Sequence, residues 1–270
     1  MFIKHLLSGD GFVIFMPFVW LRRKPIGGSV MCIAKKFATA VLLTTALSFW
    51  STTSAANTKV KKQDRGPLKR AELKEAERRL SDMGFRTGPV DGVIDSATQQ
   101  AVLTFQKWEG RRLTGRLTRA ELKAIRTATP PRPKDPGYKH VEVDLDRQVL
   151  LLTDDEGAVT TILPVSTGSG KRYKEKRMSG LAYTPRGRFR IYNKIEGWRK
   201  SPLGLLYYPN YFSDGLAIHG NPSVPNLPRS HGCVRIPMSA AREISEQLPV
   251  GTIVLIYDAQ SFVSAKEWVQ

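Results

Sequence analysis

Between Thr129 and Gly137 (TPPRPKDPG) four prolines fall in nine residues, and the apolar period of the chain changes across them. Before that segment Leu68, Ala71, Leu73, Ala76 and Leu80 recur at helical spacing, and Ala97, Ala101, Val102 and Phe105 do so again after a turn. After it the period is two, in Val141, Val143 and Leu145, and a continuous apolar run follows from Val149 to Leu152. Turns at Asp154 to Gly157 and Thr184 to Gly187, a short helix near Ser239 to Gln247 and a last strand from Thr252 to Tyr257 complete a mainly β segment. The pattern predicts an α+β multidomain chain: a helical domain over 67–128, a stiff linker over 129–137, a mainly β domain over 138–258 and a tail over 259–270.

The first 56 residues read as an N-terminal extension and an export signal. From Met31, the expected start, Lys35 and Lys36 form a basic region, Phe37 to Trp50 an apolar one, and Ser54-Ala55-Ala56 a small-residue cleavage site. The apolar region is shorter than the roughly twenty residues a spanning helix needs, so the mature chain is expected to have no stable membrane span. This places it in the periplasm or the cell wall and extracellular space, beginning with a polar, disordered segment over 57–66. Residues 57–270 keep 36 of the 42 basic and 23 of the 24 acidic residues, a net charge of +13. Outside the cytoplasm such a surplus fits wall glycans with carboxylate-bearing peptides, other anionic wall polymers or lipid head groups, and not nucleic acid.

Export also sharpens the meaning of the cysteines. Cys32 lies in the signal, so Cys233 alone is expected in the mature chain, where an unpaired thiol is an intermolecular link or a reactive group. It stands in Ser230-His231-Gly232-Cys233-Val234-Arg235. Eleven residues before Ser230, Leu216 to Gly220 reads as a buried strand ending in His219, with a Pro-rich loop between. A thiol is only slightly ionised at neutral pH, and a nearby imidazole can take its proton or hold the thiolate as an ion pair. Gly232 lets the backbone approach an acyl group, and its N–H with that of Cys233 can cradle an oxyanion.

Two resemblances to known families follow. Asp91-Gly92, Thr98, Ala101-Val102 and Phe105-Gln106 resemble the small three-helix peptidoglycan-binding repeat, with Asp95 where that family usually has glycine. The strand with His219-Gly220 and the Ser-His-Gly-Cys-Val-Arg run resemble the L,D-transpeptidase (YkuD-like) catalytic domain. Val165 to Gly168, Thr184 to Phe189 and Asp214-Gly215 stand where that family has supporting motifs. The resemblance implies Cys233 as nucleophile, His219 as base, Gly220 as the carbonyl that orients it, and His231 and Gly232 in the oxyanion pocket. It implies peptidoglycan stem peptides and glycan strands as partners, no cofactor, and acylation of the cysteine by penem-type β-lactams. Arg235 stands where many relatives have asparagine, and it is assigned with Ser230, Tyr207 and Tyr208 to the substrate.

Other readings remain open on sequence alone. Water as acceptor makes a carboxypeptidase, and a zinc site could use His219, His231 and Cys233. A wall-binding protein without turnover would need only the helical repeat. A papain-type hydrolase would place its cysteine before its histidine, the reverse of the order here.

Overall fold

The computed structural model describes residues 66–175 and 178–261. The expected export signal and disordered segment, with the rest of residues 1–65, residues 176–177 and the tail over 262–270, lie outside the described residues. Three helices come first: α1 (Arg70–Asp82), α2 (Ser96–Trp108) and α3 (Arg119–Thr127). Asp95 is the N-cap of α2, its carboxylate accepting the Thr98 amide at 2.7 Å, so the residue that departs from the family pattern supplies the cap. Buried Glu77 of α1 accepts from the Gly92 amide at 2.8 Å and from the Thr98 hydroxyl at 3.2 Å, tying the Asp91-Gly92 turn to both helices. Gly92 has φ +80 and a side chain there would strike the Arg70 carbonyl, so the turn requires glycine.

The β segment runs β1 (His140–Asp144), β2 (Val149–Thr153), β3 (Val159–Pro164), β4 (Arg172–Glu175), β5 (Met178–Leu181), β6 (Gly187–Arg190), β7 (Asn193–Lys194), β8 (Trp198–Ser201), β9 (Gly204–Ser213), β10 (Leu216–Asn221), β11 (Val234–Pro237), α4 (Met238–Gln247) and β12 (Ile253–Tyr257). One sheet has the order β3-β2-β1-β12-β6, with β1 and β12 parallel. The second runs β11-β10-β9-β7 with β8 on β9, and β10 and β11 are parallel. The hairpin β4-β5 stands apart, in the Gly-bounded basic stretch from Gly168 to Gly180 whose sequence suits a lid and a solvated loop equally.

All five residues of β2 are buried, which accounts for its unbroken apolar run. Leu150 and Leu152 join Val141, Val143, Ile218, Val234, Ile236 and α4 in the core between the sheets. Val149 and Leu151, one residue out of step, turn the other way and pack with Ile162 of β3 against Leu80, Phe85, Phe105 and Ile125 of the helical segment. Phe85 bridges to Ile162 and meets the Phe105 ring edge-on at 5.7 Å. The helices therefore share a core with the sheet instead of standing off on a stiff spacer. The Pro-rich stretch itself is held down where the Lys134 and Asp135 amides donate to the buried Glu142 carboxylate, both at 2.9 Å.

A shared core predicts shared melting. Leu151→Ala should cost about 2–5 kcal/mol and lower the midpoint of one calorimetric transition covering helices and sheets together. Two separate transitions, with only the helical one shifted, would contradict it.

Candidate active site

His219 and Cys233 come together because β10 and β11 pair in parallel. The register sets His219 beside Arg235, and Cys233 immediately precedes β11. The ladder between β10 and β9 is irregular from Ile218 to Gly220, the point at which His219 sits. Its Nδ1 donates to the Gly220 carbonyl at 2.9 Å. A carbonyl can only accept, so Nδ1 carries the proton and Nε2 keeps its lone pair. Both residues line a cleft of about 440 Å³ with Tyr173 and Met178 of the hairpin, Arg199, Lys200, Tyr211, Asp214, His231 and Arg235.

Cys233 is half-buried. Burial pushes its thiol above the ordinary value, while a main-chain hydrogen bond from Ala217 and the Arg235 charge pull the other way. Burial also pushes His219 down to about 4, and the Arg235 cation adds to that, against the pull of the Gly220 carbonyl. Burial thus favours a neutral thiol beside a neutral imidazole over a preformed ion pair.

The loop before Cys233 is braced from several sides. The Ser230 hydroxyl accepts the Gly232 amide at 3.0 Å and donates to the Cys233 carbonyl at 2.6 Å. The Ser230 amide donates to the Thr167 carbonyl at 2.9 Å, and Arg235 and Ser166 exchange two main-chain bonds, each 3.1 Å. The Thr184 hydroxyl donates to the Gly232 carbonyl at 2.7 Å and accepts from the Gly168 amide at 2.8 Å. Gly232, at φ +141, lies so close to the Tyr183 carbonyl that a side chain would sit 2.7 Å from it.

Several expected roles change. The Gly232 amide, expected to face the oxyanion, is spent on Ser230. Ser230, expected to meet substrate, does line the cleft, but it is almost wholly buried and its hydroxyl is committed within the loop. Tyr207 and Tyr208 are absent from the cleft lining and pack against the core between the sheets. His231 turns its Nε2 to Glu175 of the hairpin at 2.9 Å, with the Tyr173 ring edge-on at 4.6 Å. No group of three His, Cys, Asp or Glu suited to a metal is found among the described residues, and His231 Nε2 faces Glu175, which disfavours a zinc site on His219, His231 and Cys233.

Sequence reasoning missed Arg199, Lys200, Asp214 and Tyr173 as cleft residues. Tyr173 had a local signal, an aromatic inside a basic run. The others reach the cleft only through tertiary pairing.

Residues 138–256 match the L,D-transpeptidase catalytic domain (YkuD) and residues 69–125 a peptidoglycan binding domain. An L,D-transpeptidase from Xylanimonas cellulosilytica is 38% identical, over 71% of this chain and 94% of that one, with a TM-score of 0.65. An L,D-transpeptidase from Stackebrandtia nassauensis is 24% identical over 68% and 90%, with a TM-score of 0.41. Among curated proteins none matches.

Arg235 favours the thiolate and opposes the imidazolium, so Arg235→Met should raise both titrations. The pH at which Cys233 alkylation by iodoacetamide reaches half its limit should move further up, and His219, followed by NMR, should titrate above its native value of about 4. Midpoints that stay or fall would refute this field.

Proposed function

This chain belongs to the L,D-transpeptidase family and carries a peptidoglycan-binding domain ahead of the catalytic one, and from that premise we propose a cysteine-dependent acyl transfer at Cys233. The observation that carries the reading is the His219 imidazole, fixed by the Gly220 carbonyl as an Nε2 base, in one cleft with a half-buried thiol. His219 Nε2 takes the thiol proton as sulfur attacks the carbonyl carbon of the third residue of a tetrapeptide stem. The oxyanion is received by the Cys233 amide, with Arg235 supplying positive field. As the tetrahedral species collapses, His219 returns the proton to the leaving amine, D-alanine departs, and a thioester remains. A side-chain amine of a neighbouring stem attacks that thioester and loses its proton to His219. The thiol is restored by that proton, and the third residues of two stems are joined.

The charge in the cleft supports an acidic donor. Arg199, Lys200 and Arg235 line it, and Asp214 is the sole carboxylate among the lining residues. The helical domain is proposed to hold glycan strands near the cleft, raising local substrate concentration. The site of action is proposed to be the periplasm or wall. No helix of the described residues is long and apolar enough to cross a membrane.

Incubating the protein with disaccharide-tetrapeptide and reading masses tests the reaction. Wild type should lose D-alanine and yield a dimer, Cys233→Ala should do neither, and His219→Gln should slow both by about 10²–10⁴-fold. D-alanine loss without dimer would assign the carboxypeptidase reading, and unchanged turnover in Cys233→Ala would refute covalent catalysis by this thiol.

A further inference from the structure

The helical domain meets the catalytic domain through a charge as well as through apolar contact. Lys107, in the last turn of α2, is 5% exposed, and its ammonium donates to the Gln148 carbonyl at 3.2 Å and the Val165 carbonyl at 3.5 Å. No salt bridge reaches it among the described residues, and burial pushes its pKa down to about 8. A methionine would fill the same space without desolvating a charge, so stability alone is a weak reason for an ammonium here.

The carbonyls it grips open a continuous run to the reactive sulfur. Gln148 has a left-handed backbone, φ 53, and its side chain clasps Thr167: Nε2 donates to the Thr167 hydroxyl at 2.8 Å and Oε1 accepts the Thr167 amide at 3.0 Å. The Val165 amide shares the Gln148 carbonyl at 2.9 Å. Thr167 in turn accepts the Ser230 amide, and Ser230 fixes Gly232 and Cys233. We propose that Lys107 is a positioning residue for the Cys233 loop, acting through Gln148 and Thr167 so that the helical domain is an arm of the active site as well as a wall anchor. The proposal rests on the reading of Cys233 as nucleophile.

The test compares Lys107→Met and Gln148→Met with wild type in the full chain. Two rates on Cys233 are read by intact-protein mass: acylation by imipenem, which needs an aligned thiol and an oxyanion site, and alkylation by iodoacetamide, which needs only a reachable thiolate. Both variants should acylate on the order of tenfold or more slowly at a temperature where each is fully folded, while alkylation stays within about threefold. Lys107→Arg should recover part of the acylation rate. Unchanged acylation overturns the proposal, and so does an equal loss of both rates, which marks a general loosening. Should Lys107→Met fail to fold, the same two rates in Gln148→Met, which leaves the helical domain intact, decide the matter. A wild type that forms no imipenem adduct and no cross-linked product overturns the nucleophile reading, and this proposal with it.

Discussion

A strand buried on both faces is the constraint from which the rest of this structure follows. With every residue of β2 out of water, neither face can be left uncovered, since each Leu or Val side chain represents about 1.5–3 kcal/mol of burial. The inner face is covered by the second sheet and α4, the outer one by the three helices. The same arrangement brings the end of α2 against the start of β2 and the end of β3, the two places whose carbonyls Lys107 takes up.

Around Cys233 much of the hydrogen bonding shapes the loop and does not face the cleft. Ser166, Thr167, Gly168 and Thr184 all serve its backbone, and Ser230 joins them from within. This division leaves the chemistry to few side chains. His219 and Cys233 are both desolvated towards neutrality, and Arg235 biases the pair towards the state reached once the proton has moved away from both.

Period and punctuation made the elements legible. The helix predicted near Ser239 to Gln247 spans Met238–Gln247, and the strand predicted from Thr252 to Tyr257 spans Ile253–Tyr257. The joining of the two domains was hidden, because an unbroken apolar run such as Val149 to Leu152 reports burial on two faces without saying what covers the second. In the site, the placing of His219 and Cys233 in one cleft was legible from the Ser-His-Gly-Cys run and the apolar strand that ends in histidine. The roles of Ser230, Gly232 and His231 were not, because a hydroxyl, an amide or an imidazole can face a ligand or its own loop, and only the fold decides. Arg199 and Lys200 reach the cleft through β8 and its pairing with β9, which no local pattern records.

The pairing of β1 with β12 has a consequence for biogenesis. The centre of the first sheet joins strands from opposite ends of the domain, as in the bond from the Tyr257 hydroxyl to Glu142, 115 positions apart. No partial product can close that sheet, so its seam must wait for the final strand to emerge, at the loop-closure cost that long separations impose. A chain threaded outward from its N-terminus would carry Cys233 and β11 across before the strand that closes the first sheet.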